Sequence, residues 1–115
     1  MKRYCFTCDL ENDPELIAKY KEYHKKGNVW NEILESIRTS GISGMQIYLI
    51  ETRLFMIMDT SDEFNLENKE VKDANNEIVQ SWERLMGKFQ KIPEFSKYGK
   101  KWVLMDKIFD LTENK

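Results

Sequence analysis

The order of periodicities along this chain predicts an α+β fold: a ferredoxin-like, split βαβ sandwich. Three observations predict it. Period-two apolar stretches occur near the start, twice in the middle and again near the end. Apolar residues at three-to-four spacing follow the first of these stretches and precede the last. The two middle stretches, "MQIYLIE" and "RLFMIMDT", are so close that an antiparallel hairpin is the simplest link. The order is therefore strand, helix, strand, strand, helix, strand, with the helices on one face of a four-stranded antiparallel sheet.

Residues 3–10 alternate, with Tyr4, Phe6, Cys8 and Leu10 on one row and Cys5 and Thr7 on the other. "ENDPE" stops that strand and starts a helix. Asp13 suits the N-cap, Pro14 the first turn, and Glu15 the positive helix end. The helical spacing runs through Leu16, Ile17, Tyr20, Tyr23 and His24. "KKGN" interrupts it, and Trp30, Ile33, Leu34 and Ile37 resume it. One crossover broken at Gly27–Asn28 is expected, with Gly41 taking a left-handed cap at its end.

The second strand sets Met45, Ile47 and Leu49 against Gln46, Tyr48 and Ile50. The third sets Leu54, Met56 and Met58 against Phe55 and Ile57, with Glu51 and Thr52 at the connection. "SDEFNLENKEVKDANN" is polar and loosely periodic, a loop or short helical turns able to act as a lid. A clear helix is expected from about Asn75 to Phe89, through Ile78, Val79, Trp82, Leu85 and Met86. "QKIPEFSKYGK" reads as a loop, and "KWVLMDKIFDLTENK" as a long strand with a charged tail.

Two helices cover one sheet face. Tyr48, Phe55, Ile57 and Trp102 then need a second cover, which predicts a homodimer formed sheet against sheet or a barrel closed by two protomers. Residues 1–115 are expected to form a single domain.

Composition narrows the function. Hydrophobic residues make up 41% and charged residues 33%, as in ordinary globular proteins. Eighteen basic against twenty acidic residues give a net charge of −2, which argues against a nucleic-acid partner. No apolar run suggests a membrane span or a secretion signal. Cys5 and Cys8 form a CxxC, but on a strand residues three apart point to opposite faces, and no helix start lowers a thiol pKa there. Two unpaired thiols fit a cytoplasmic protein. With one histidine, and with Asp59, Asp62 and Glu63 more simply solvating a turn, no metal and no other cofactor is expected.

His24, the one histidine, shares a helix face with Tyr20, four residues earlier. An imidazole among phenols and an indole can move protons near neutral pH and line a sugar pocket. A packed helix-border histidine is the plain alternative. Trp82 lies on an apolar stripe that core packing would explain, and Trp30 opens a stripe of its own.

The segments "YKEYHKKGNVWNEILESIRTSG", "QIYLIETRLFMIMDT", "NNEIVQSWERLMGKFQ" and "KWVLMDKIFDL" together resemble the L-rhamnose mutarotase family almost end to end. That resemblance implies small dimeric α/β-barrel-type proteins of ferredoxin-like fold. It implies an isomerase that interconverts the α and β anomers of a free pyranose without a cofactor. It places a catalytic proton donor at His24 and sugar contacts at Tyr20 and Trp82. Met45 and Ser81 stand where the family has a substrate-contacting tyrosine and the first tryptophan of an aromatic pair. Asn31 replaces a proline, and the link after His24 is longer. These departures alter pocket size and hydrogen bonding. A non-catalytic sugar-binding domain and a cofactor-free monooxygenase of the same architecture are the competing readings, and haem held by His24 is a further one.

Overall fold

The computed structural model describes residues 1–114; Lys115, the end of the charged tail, lies outside them. The chain runs β1 (Lys2–Leu10), α1 (Pro14–Tyr23), α2 (Asn31–Thr39), β2 (Ile42–Ile50), β3 (Arg53–Thr60), α3 (Leu66–Ala74), α4 (Glu77–Met86), β4 (Gln90–Lys91) and β5 (Val103–Leu104). A single 3-10 turn follows at Leu111–Glu113. The sheet order is β2-β3-β1-β4, with β5 also on β1, and every pairing is antiparallel. The sheet is open within the chain and is not closed into a barrel.

Local chemistry sets the boundaries. Asp13 accepts from the Glu15 and Leu16 amides, with Pro14 in the first turn, so α1 starts where the sequence predicts. Gly27 at φ 89° breaks the crossover into two helices, and Gly41 at φ 92° turns the chain from α2 into β2. Asn65 and Asn76 cap α3 and α4 through their side-chain oxygens.

Register decides which face is buried. Cys8 lies opposite Leu54, and Tyr4 opposite Met58, so these share the helix side with Met45, Ile47 and Leu49. There Cys8, Leu10, Leu54, Tyr20, Met86 and Phe89 form one core, and Ile42, Met58 and Phe64 a second. Burying side chains such as Leu10 and Leu54 stabilises the fold by about 1.5–3 kcal/mol each. The opposite face carries Tyr48, Ile50, Phe55 and Ile57, with Tyr48 and Ile50 strongly exposed. Cross-strand pairs Arg3–Asp59 and Arg53–Asp9 close the two ends of the β1–β3 ladder.

Of the two alternatives for the polar stretch after β3, the helical one holds: α3 buries no residue fully and is held by its cap, a Lys69–Asp73 ion pair and Leu66 packed on the second core. Two expectations need correction. The long final strand is only Val103–Leu104. Its sheet position is shared with Gln90–Lys91, because residues 92–102 leave the edge of β1 and return to it. After the Met105 amide bonds the Cys5 carbonyl the chain leaves β1, and Ile108 and Phe109 stay exposed. Trp102, finally, packs on the helix-side core and not on the opposite face.

Candidate active site

Between the helices and the sheet lies a cavity of about 870 Å³, open to solvent on one side. This size falls within the usual range for small-molecule sites, about 300–1,000 Å³. Phe6, Met45, Ile47, Met56 and Met58 make its apolar floor on the sheet. His24, Tyr20, Trp82, Gln90 and Trp102 form one end of the wall. Lys69, Asp73, Glu83 and Lys101 bring charge to it from α3, α4 and the 92–102 excursion.

His24 is the C-cap residue of α1. One turn back, the Tyr20 carbonyl lies 2.7 Å from His24 Nδ1. A carbonyl oxygen only accepts, so Nδ1 carries the hydrogen and the neutral ring keeps its lone pair on Nε2. Burial holds the imidazolium below its ordinary pKa, and the hydrogen bond to Tyr20 only partly opposes that. At neutral pH the resting ring is therefore an acceptor, and the imidazolium expected as the donor arises only after it has taken a proton.

Tyr20 is 4% exposed, and its ring lies 4.3 Å from the imidazole, centroid to centroid, tilted by 35°. Burial pushes its phenol up to about 12, against a hydrogen bond from Gln90. Gln90 Nε2 donates to Tyr20 Oη at 3.2 Å, which leaves the phenolic hydrogen for another acceptor. The neutral phenol of Tyr20 can therefore donate a hydrogen bond and is ill suited to act as a base.

Trp82 sits edge-on to His24 at 5.8 Å and to Trp30 at 5.1 Å. Trp30 therefore buttresses the indole, a role that agrees with its stripe. An indole and a second one at Trp102 offer flat apolar surface, while Tyr20, Gln90 and the charged wall offer hydrogen bonds.

Four of the five residues singled out from the sequence, His24, Tyr20, Trp82 and Met45, line one cavity. Ser81 does not: it lies on α4 beside Trp82, and its Oγ accepts from Arg84 at 3.1 Å. One helical step turns it away from the neighbour that faces inward. Tyr48 is also outside, on the far sheet face, where its hydroxyl donates to Gln46 Oε1. Gln90 and Glu83 were not singled out and Trp102 was expected on the other face: only the tertiary fold brings Gln90 to Tyr20 and Trp102 to this wall, whereas Glu83 directly follows Trp82. The single available signal was Glu83's place next to a tryptophan already under suspicion. Cys5 and Cys8 are free, and burial pushes the Cys8 thiol up to about 12, which makes it inert. Among the described residues no three histidine, cysteine or carboxylate side chains are grouped to hold a metal.

Fold and site together define a ferredoxin-like α+β protein whose cavity of small-molecule size gathers an imidazole, a phenol and two indoles. The family model described as L-rhamnose mutarotase matches residues 3–111, and the chain belongs to that family of sugar-anomer isomerases. An L-fucose mutarotase of Xanthomonas campestris pv. campestris is 36% identical over 113 residues, covering 98% of this chain and 90% of that protein. A UPF0734 protein of Dictyostelium discoideum is 40% identical over 119 residues, covering 96% and 90%. The crystal structure of an L-rhamnose mutarotase from Formosa agariphila has the same fold, with a TM-score of 0.70 at 21% identity over 96% of this chain and 98% of that one.

Proposed function

We propose that the chain, working over residues 1–115 as one mutarotase-like domain, interconverts the α and β anomers of a free pyranose of the L-fucose or L-rhamnose kind. The observation that carries this reading is the locked tautomer of His24: a lone pair on Nε2, in a cavity shared with a permanently protonated phenol and an indole. His24 takes the proton of the anomeric hydroxyl as the C1–O5 bond breaks, and the ring oxygen is protonated from the other side. Rotation about C1–C2 followed by the reverse transfers gives the other anomer. Tyr20 donates a hydrogen bond to a sugar oxygen, Trp82 stacks on the sugar's apolar face, and Met45 shapes the floor.

The enzyme acts in the cytoplasm as a homodimer with a monosaccharide as its ligand, and needs neither nucleic acid nor membrane. Exposed Tyr48 and Ile50 on one sheet face, and Ile108 and Phe109 beyond β5, support the dimer. No helix among the described residues is long and apolar enough to cross a membrane.

NMR exchange spectroscopy with L-fucose, L-rhamnose and D-galactose tests the reading. Faster anomer exchange than in a protein-free control is expected with at least one of them. Binding without acceleration would make the chain a sugar-binding relative.

A further inference from the structure

We propose that Glu83 is the second proton-transfer group of this pocket, acting on the sugar opposite His24. The proposal rests on the mutarotase reading and names the proton partner which that reading lacks.

Placement is the first observation. Glu83 directly follows Trp82 on α4, so the turn that sets the indole against His24 also brings a carboxyl to the wall of the same cavity. Its state of pairing is the second. Around it Lys69 pairs with Asp73, and Lys100 with Glu70, while Glu83 receives only a long hydrogen bond from Gln80 Nε2, at 3.4 Å. The same Gln80 amide donates to the Asp73 carbonyl at 2.9 Å, which ties Glu83 to α3 without neutralising it.

The third observation is the orphan beside it. Asp73 pairs with Lys69 through Oδ2, but its Oδ1 is buried with no hydrogen-bond partner on the same cavity wall. Glu83 is exposed overall, yet the desolvation its carboxyl meets at the cavity wall, and then the Asp73 carboxylate, raise its pKa, while Lys69, Lys101 and the Gln80 hydrogen bond oppose the shift. The Lys101 ammonium rests over Gly87, the C-cap of α4, in the space a side chain there would take. An unpaired carboxyl that lines a cavity, with its pKa moved upward, is placed to serve as a general acid.

The step balances. His24 Nε2 takes the proton from O1, the O1–H electrons become the C1=O1 π bond, and the C1–O5 pair passes to O5. O5 takes the proton of the Glu83 carboxyl, giving an open-chain aldehyde, an imidazolium and a carboxylate. After rotation about C1–C2, Glu83 recovers the O5 proton as O5 attacks the other carbonyl face, and His24 returns its proton to O1. The productive pair therefore holds one proton, on Glu83. The groups facing Glu83 are Asp73, Lys69 and Lys101, with Arg38, Glu70 and Lys100 on the same cavity wall; His24 faces uncharged Tyr20 and Trp82.

The test is anomer exchange of L-fucose and L-rhamnose by the wild type, Glu83→Gln and Glu83→Asp across the mildly acidic to neutral range. Glu83→Gln is expected to lose about 10²-fold or more in catalysed exchange at an unchanged melting temperature. It should keep the loss of rate at low pH that belongs to His24 and lose the decline at higher pH. Glu83→Asp should retain both limbs at a reduced rate. A carbon-13 titration of the wild-type Glu83 carboxyl should fall above the ordinary value of about 4.3. Glu83→Gln within two-fold of wild type, with an unaltered pH profile, overturns the role of Glu83 and leaves the mutarotase reading standing. A wild type that accelerates neither sugar overturns that reading, and the proposal with it.

Discussion

Replacing His24 with alanine separates its chemical role from its structural one. In the fold the ring gives one neutral hydrogen bond, Nδ1–H to the Tyr20 carbonyl at 2.7 Å, and contacts the Tyr20 and Trp82 rings. Losing such a bond costs about 0.5–1.5 kcal/mol, and the carbonyl set free at the end of α1 can be rehydrated. Losing a positioned acid–base group costs about 10²–10⁴-fold in rate, or about 2.7–5.4 kcal/mol of barrier. His24→Ala should therefore stay folded and exchange anomers at close to the protein-free rate.

The pH dependence has a fixed sign. Burial lowers the folded-state pKa of His24 below 6.5. Its contribution to stability is then full above about pH 6.5 and is lost as the pH falls through the lower, folded-state value. The wild type should lose melting temperature over that interval relative to His24→Ala, and catalysed exchange should decline over the same interval. Melting curves and exchange spectra on both proteins read the two effects. A His24→Ala protein that retained the wild-type rate would refute the assignment.

Two further substitutions follow from the geometry. Tyr20→Phe keeps the ring in the core but removes the hydroxyl that Gln90 bonds, so exchange should fall by at least tenfold with the shape of the pH profile unchanged; a changed profile would mean that the phenol titrates in the reaction. Gly41→Ala forces a side chain onto a residue at φ 92° and within 3.1 Å of Ser61 Oγ. The strain is about 1–2 kcal/mol, enough to lower the melting temperature by several degrees, and an unchanged thermal transition would contradict the backbone geometry.

Much of this was readable in the residues because local and tertiary demands agree. Met45, Ile47 and Leu49 alternate, and so do Leu54, Met56 and Met58, and the hairpin sets both rows on the buried side. Tyr20 and His24 are neighbours through helix geometry alone. α3 was legible only as one of two alternatives, since its apolar members, Leu66, Val71 and Ala74, make no stripe, and Asn65, the Lys69–Asp73 pair and the packing of Leu66 on the second core do the holding. Nor can period-two reasoning see strands of two residues such as Gln90–Lys91. Trp102 went astray for the same reason: its side was judged from a strand that is mostly not there. Glu83 comes beside Asp73 only because α4 folds back on α3, and Gln90 reaches Tyr20 from far along the chain; spacing carries no trace of either meeting.

The divided fourth strand also bears on engineering. Residues 92–102 leave from Lys91, opposite Asp9, and return at Val103, opposite Thr7, so both feet of the excursion stand on one strand with only Cys8 between them. Lys100, Lys101 and Trp102, near its far foot, help to wall the cavity. Lengthening a loop whose ends are already fixed costs little, about 0.6 kcal/mol for each doubling. The segment is thus a grafting port: side chains can be exchanged or added above the pocket while the sheet register and the α1 histidine stay as they are, so sugar preference can be rebuilt separately from the chemistry.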